Sequence, residues 1–359
     1  MTRSQSAASG RRRNPSRPVT MQDIANAAGV SQSTVSRVFN RAATQVPIAE
    51  ATKQRILAEA DRLGYRPNPL ARGLRGARTM LLGVIVREIT DPFFATAVEA
   101  LSVEAAARGY NVVLGSAHSR ADEAIALRDV LETRHCDALL LLGDMRDQPR
   151  LIEDLRTWQV PLVAVWQGTD LEGFPTVNAD NRAGVDAAVQ HLLDLGHTRI
   201  AFIGGRPLGD IRERRAAFVD RMEAAGLVPP DGYVAHVVND PAGGDAAVRA
   251  MLALPQPPTA IVASTDVLAT GVLHAAADVG LVVPTDLSVV GFDDIPSASY
   301  TVPALTTVRM PIRDMIVRAI ELAIDLAVGA DNDTVTKDLV TAHVMTPTLV
   351  VRRSTSEVR

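Results

Sequence analysis

Residues 18–40 read PVTMQDIANAAGVSQSTVSRVFN. Thr20 stands before Met21-Gln22-Asp23, and a Thr-x-x-Asp pair caps the start of a helix by satisfying orphan backbone N–H groups in both directions. Met21, Ile24, Ala25 and Ala28 then fall on one face at helical spacing. Gly29 supplies the left-handed residue that ends the helix and turns the chain. Ser31 caps a second helix, in which Val35, Val38 and Phe39 face inward. Its outward residues, Gln32, Ser33, Ser36 and Arg37, carry hydrogen-bond donors and no acid. Two short helices across a Gly-containing turn fit a DNA-reading helix-turn-helix, and they also fit an ordinary helical hairpin. Spacing alone leaves both readings open.

Charge tilts the balance toward a polyanion. Residues 1–78 hold 14 Lys and Arg against 4 Asp and Glu, a net of +10, whereas the whole chain sums to −4. A small basic head on an acidic body suggests that the head meets nucleic acid. Residues 1–17, MTRSQSAASGRRRNPSR, account for part of that charge and read as a disordered basic arm. The compact helical head spans residues 18–66, and 67–77 form a linker.

From residue 78 the texture changes. Short apolar runs such as MLLGVIV, YNVVLGS and DALLLLG alternate with Ala-rich amphipathic stretches, and the rhythm restarts at PLVAVW. Two βαβ series in tandem predict two doubly wound parallel-sheet subdomains with a cleft between them. The expected division of the body, residues 78–353, is 78–179 plus 309–336 for one subdomain and 180–308 plus 337–353 for the other, with 354–359 as a tail. The 359 residues and 47% hydrophobic content suit a soluble chain with large cores. Cys136 is the only cysteine, which excludes an intrachain disulfide. The strongly apolar runs, 80–86 and 138–142, are far short of a membrane span, and the Arg-rich start is unlike a secretory signal, so the expected location is the cytoplasm. No G-x-G-x-x-G, Walker loop, G-x-S-x-G or H-E-x-x-H occurs, and no Cys or His cluster has metal-ligand spacing. The expectation is a protein without enzymatic activity and without a cofactor or metal.

Residues 20–40 closely resemble the head of the LacI/GalR family of bacterial transcription regulators. The likeness continues through Leu63-Gly64-Tyr65-Arg66-Pro67-Asn68, Asp180-Asn181 with Gly184, His191-Leu192, Leu195-Gly196-His197, and VPTDLSVVGFDD followed by PALTTV at 283–294 and 303–308. It covers about residues 18–353. What it implies is a periplasmic-binding-protein-like body, a double-stranded DNA operator, a small-molecule effector and a homodimer. Gln32 and Ser33 become the main base readers, Arg37 a base or phosphate contact, and Thr20, Thr34 and Ser36 phosphate contacts. Residues 68–75, NPLARGLR, become a hinge helix with Asn68 as cap, Ala71 on its DNA face and Leu74 as an apolar wedge in the minor groove. Two turns of free helix are too short to persist in water, so a coil off DNA and a helix on it are expected.

In the cleft the resemblance points to Asp293 as the chief ligand residue, with Arg214 as a buried donor; Thr265 stands where the family often has Asn and keeps one hydroxyl for a ligand. One of Phe93 and Phe94 is expected to line the pocket and the other to pack in the core, and Trp166, just past a strand, reads equally as a stacking platform or a core residue. Asp294 reads as structural, and Asp266 as the cap of the following helix. His118 and His274 read as packing or surface residues. Departures from the family pattern are an Asn40–Ile48 loop two residues longer, Ala49 in place of a capping Ser, Ala217 in place of Gly, and Met310 in place of Gln. The implied effector is a sugar or sugar derivative; a nucleobase-like corepressor, a partner protein, or a plain solute-binding protein are the alternatives. The dimer face is expected on the first subdomain, at the Ala-rich helix 94–108, with no coiled-coil tail after Val351.

Overall fold

A computed structural model describes residues 19–40, 48–65, 78–117, 136–147, 149–157, 161–166, 168, 173–330 and 342–358. The chain divides into two compact units, 1–78 and 79–359.

In the head, α1 (Met21–Ala28) starts at the Thr20–Asp23 capping box and ends at Gly29 with φ 65°. Nothing lies within 4 Å of where a Gly29 side chain would begin, so backbone conformation and not space selects glycine there. In α2 (Gln32–Asn40) the Ser31 hydroxyl accepts the Thr34 N–H at 3.2 Å, the expected cap. Ile24, Ala25, Ala28 and Val35 close a small core with Ile56 and Ala60 of α3 (Glu50–Leu63), and Phe39 packs on Tyr65 at 5.4 Å. Ala49 precedes α3 without a side-chain cap, as its sequence departure foretold.

In the body, the first sheet is built from β1 (Leu81–Val86), β2 (Asn111–Ser116), β3 (Ala138–Leu142), β4 (Leu162–Val165), β5 (Thr176–Ala179) and β11 (Ala342–Met345). Its spatial order is β11-β5-β4-β3-β1-β2 and every pairing is parallel. The second sheet runs β12-β10-β9-β8-β6-β7, with β6 (Ile200–Gly204), β7 (Val234–His236), β8 (Ala260–Ala263), β9 (Ser288–Asp293), β10 (Thr306–Arg309) and β12 (Thr348–Val350). Only the β10–β12 pair among the described strands is antiparallel. Strands β3, β4, β6 and β8 are buried along their whole length, which is why they read as unbroken apolar runs.

Helices cover both sheets: α4 (Pro92–Ala107), α5 (Pro149–Thr157) and α10 (Ile312–Ala330) the first, and α6 (Asn181–Asp194), α7 (Gly209–Ala224), α8 (Pro241–Leu252) and α9 (Asp266–Asp278) the second. The α8–α9 contact is close enough that a Cβ at Gly271 would meet the Pro241 carbonyl. None of the described helices is long and apolar enough to cross a membrane.

Among the described residues the chain passes between the sheets three times, after β5, between β10 and α10, and between β11 and β12. The last passage corrects the expected division, which gave 337–353 wholly to the second subdomain. Ala342–Met345 instead extends the first sheet, because its backbone pairs with Thr176–Ala179. The expected tail is also partly structural. Ser354 is fully buried, its hydroxyl donates to Val289 O and accepts from Thr306 N–H, and His197 Nε2 lies 3.0 Å from both Ser288 Oγ and Ser356 O. Cys136 is buried and free, and desolvation pushes its thiol up to about 11.

Candidate functional site

The carboxyl ends of the parallel strands of both subdomains open onto one cavity of about 320 Å³, at the low end of the ~300–1,000 Å³ typical of small-molecule pockets. Six residues expected there from the sequence, Phe93, Phe94, Trp166, Arg214, Thr265 and Asp293, all lie on its wall.

Asp293 ends β9 with φ 110°, a strained conformation for a residue with a side chain. It is 5% exposed. Arg214, from α7, is equally enclosed. Its Nη1 donates to Asp293 Oδ1 at 3.1 Å and to the Ser264 carbonyl at 2.7 Å, and its Nε donates to Asn181 Oδ1 at 2.9 Å. The guanidinium carbon sits 3.7 Å over the Phe292 ring. Desolvation drives the Asp293 carboxyl well above its ordinary range, against the opposing pull of Arg214. Met310 is buried with its sulfur 3.9 Å from Arg214 Nη2, so it adds a soft contact and no donor.

Aromatic rings form another part of the wall. Phe93 and Trp166 meet edge-to-face at 4.8 Å, and Phe93 and Phe94 at 5.3 Å. Both phenylalanines are buried and both face the cavity, so the expected split between a pocket ring and a core ring does not occur. Trp166 follows β4 with φ 58°, and its indole N–H donates to Met315 Sδ at 3.2 Å, which leaves the ring as its contribution to the cavity. Strain at both Trp166 and Asp293 concentrates where the cavity lies.

A hydrogen-bonded chain bridges the two subdomains. Asp91 caps α4 by accepting the Phe93 N–H at 2.9 Å, and its other oxygen accepts from Asn239 Nδ2 at 3.1 Å. Asn239 Oδ1 in turn accepts from the Thr265 hydroxyl at 2.7 Å, and Thr265 Oγ1 caps α9 through the Leu268 N–H. Thr265 and not Asp266 is therefore the helix cap. Asp266 is fully buried, accepts the Ile295 N–H at 2.9 Å and the Thr307 hydroxyl, and is pushed up to about 7 by desolvation. Asp294 holds Arg309 and Arg352, each at 2.6 Å, in line with a structural role. His274 is exposed beside Asp245, and His118 lies outside the described residues.

Sequence reasoning missed Asp91 and Asn239 as cavity residues. Both stood at readable places, Asp91 in Asp-Pro-Phe-Phe after a strand and Asn239 in Asn-Asp-Pro after another. It also missed Asp144, held by Arg146 at 2.7 Å, and Asp147, held by Arg87 at 3.0 Å. Among the described residues no group of His, Cys, Asp and Glu is arranged to hold a metal.

In the head, Gln32 and Ser33 at the start of α2 are exposed, and Thr34, Ser36 and Arg37 are half-buried. Ser31 Oγ lies 2.8 Å from both Ser33 Oγ and Thr34 Oγ1. The Thr20 hydroxyl donates to Asp23 Oδ2 at 2.7 Å. This first turn of α2 presents small polar groups and no acid, a surface suited to base edges and phosphates. Asn68, Ala71 and Leu74 lie outside the described residues.

Residues 20–68 match the model of bacterial regulatory proteins of the lacI family, and residues 189–355 match the periplasmic binding protein-like domain. The chain is 33% identical to the HTH-type transcriptional regulator GalS of Salmonella typhimurium over 94% of its own length and 96% of the relative's. It is 34% identical to the HTH-type transcriptional repressor CytR of Escherichia coli over 86% of its length and 90% of the relative's. Among solved structures it is similar to the lac repressor dimer bound to operator and the anti-inducer ONPF, with TM-score 0.80 and 25% identity over 95% of this chain and 100% of that one. It is also similar to the transcriptional regulator CelR in complex with cellobiose, with TM-score 0.69 and 29% identity over 94% of this chain and 100% of that one. These relatives are transcription regulators and not enzymes.

Proposed function

The chain belongs to the LacI family of bacterial regulatory proteins, and from that footing we propose that it is a cytoplasmic repressor that grips a pseudo-palindromic operator as a homodimer and is governed by a small sugar-like effector in the cleft. Each head reads one half-site. Gln32 and Ser33 contact base edges, Arg37 a base or nearby phosphate, and Thr20, Thr34 and Ser36 the backbone. Residues 68–75 fold into a helix only on DNA, and Leu74 enters the minor groove beside the partner subunit's Leu74.

The effector lies between the subdomains, against Asp293, Arg214, Thr265 and the aromatic wall of Phe93, Phe94 and Trp166. The single observation that carries this reading is the Asp91–Asn239–Thr265 chain in the cavity wall. It couples the two subdomains through groups that a ligand would also touch, so occupancy changes the relative stability of cleft geometries. A ligand shifts such an equilibrium only by its differential affinity for the two states, and ~1–3 kcal/mol suffices for a 5–150-fold change at the DNA. A ring of monosaccharide to nucleoside size fits a cavity of about 320 Å³. The DNA-reading head speaks against a plain solute carrier.

The test is a titration of the full-length protein on its operator at fixed salt, with and without a compound that raises its melting temperature. A change in operator affinity of fivefold or more supports the reading. A stabilising compound that leaves the affinity unmoved contradicts it.

A further inference from the structure

Among the described residues, three stretches of chain join the two subdomains: 179–181 after β5, 309–312 between β10 and α10, and 345–348 between β11 and β12. Arg214, on α7 of the second subdomain, is linked to all three.

At the first crossover, Arg214 Nε donates to Asn181 Oδ1 at 2.9 Å. Asn181 is 1% exposed, and its Nδ2 donates to Asp210 and Glu213 of α7 at 3.0 and 2.8 Å, so its amide is held on both edges. The residue before it, Asp180, caps α6 through the Ala183 N–H, and its own N–H donates to the Met345 carbonyl at the end of β11. At the second crossover, Met310 Sδ lies 3.9 Å from Arg214 Nη2, and the Met310 N–H donates to the Asp293 carbonyl at 3.5 Å. The link to the third runs through the Phe292 ring, whose centroid is 3.7 Å from the guanidinium carbon. A Cβ at Gly184 would meet that ring at 2.8 Å and Pro347 Cγ at 2.9 Å. Glycine at 184 therefore lets the ring, the crossover proline and α6 close on one point.

The same guanidinium holds Asp293 of the cavity wall at 3.1 Å. Asn181, Gly184, Phe292, Met310 and Pro347 are not part of that wall, so they meet a ligand only through Arg214 and Asp293. The guanidinium is a planar fork of fixed donors in a packed interior. A displacement of Asp293 is passed to these partners, because the alternative is a buried charge left unpaired.

We propose that Arg214, Asn181 and the Phe292–Gly184–Pro347 contact form a relay that converts movement of Asp293 into movement of the three crossovers, and so of one subdomain against the other. This rests on the regulatory reading above and adds its route. Asn181 and Gly184 are positioning residues, acting on the effector site through Arg214 and Phe292. Coupling between two binding sites is reciprocal, so operator held by the heads is felt at Asp293 along the same path.

The experiment measures amide hydrogen exchange in the full-length protein, free and saturated with an operator duplex selected from random DNA, for the wild type, Asn181→Ala and Gly184→Ala. In the wild type, operator should change the exchange of 289–294 threefold or more, and 179–184 and 345–348 should respond with it. In each variant that folds, the response at 289–294 should fall below 1.5-fold while the response at 79–86, next to the linker, remains. The relay is ruled out if 289–294 responds in the wild type without 179–184 and 345–348, a result that needs no variant. It is equally ruled out if a folded variant keeps the full response, or loses it at 79–86 as well, which would mark a general loosening of the body. A wild type that responds at 79–86 and not at 289–294 sinks the relay and leaves DNA binding by the heads standing. Failure of the selection to enrich any duplex overturns the regulatory reading and the relay together.

Discussion

Arg214 and Asp293 meet at 3.1 Å with only 3% and 5% of their side chains exposed, the most enclosed ion pair among the described residues of the cleft. A buried pair of this kind is a weak source of net stability, but removing one partner leaves the other uncompensated. Asp293→Ala should therefore lower global stability by about 3 kcal/mol, read from the urea midpoint. It should also remove stabilisation by the effector, while operator binding at a temperature where the variant is folded persists. Retained effector binding at wild-type strength would place the ligand elsewhere.

Gln32 and Ser33 are exposed at the start of α2, and neither supports the head core. Gln32→Ala should weaken operator binding by about 1–3 kcal/mol and relax the choice of base at one position per half-site. Effector binding should stay within error. A uniform loss across all DNA sequences would instead make Gln32 a phosphate contact.

Much of the head was legible because its signals are local. A capping pair three residues apart, a left-handed glycine and a 3.6-residue apolar stripe each fix a neighbour in the chain, and Thr20, Gly29, Ile24 and Ala28 sit as their spacing required. The two-sheet body was legible from its alternating rhythm. The cavity was half legible: residues at strand ends could be named, yet their partners could not. Asp91 and Asn239 meet across 148 positions, and no local pattern encodes that contact. Similarly, Ala342–Met345 carries a short run that either sheet edge could accept; only its pairing with Thr176–Ala179 decides.

Ala49 precedes α3 with ψ 136° and offers no hydroxyl to the first turn. Ala49→Ser should supply the missing cap and stabilise the head by ~1 kcal/mol. The check is a higher urea midpoint for the head's unfolding, followed by far-UV circular dichroism. An unchanged midpoint would mean that the first turn of α3 is satisfied in another way.

Asp266 has a folded-state value of about 7 against an ordinary 3.8, because burial disfavours its charge. The folded protein then holds a proton that the unfolded chain releases. The group's contribution to stability is fully present below pH ~4 and is lost as pH rises toward about 7, by up to about 4 kcal/mol at 1.36 kcal/mol per unit. Asp91, Asp210 and Asp293 are raised by the same cause and add in the same direction. Asp266→Asn keeps an acceptor for the Ile295 N–H and a partner for the Thr307 hydroxyl. It should flatten the decline of unfolding free energy between pH 4 and 7; an unaltered slope would contradict a proton held on Asp266.

The proposed regulator grips DNA with paired heads whose hold is set by what occupies the cleft. The most direct measurement is selection by the full-length protein from random duplex DNA, followed by elution of the bound pool with a compound that stabilises the protein. An enriched inverted repeat whose retention changes on adding that compound is the predicted result. A pool without two-fold symmetry, or one indifferent to the compound, would contradict it.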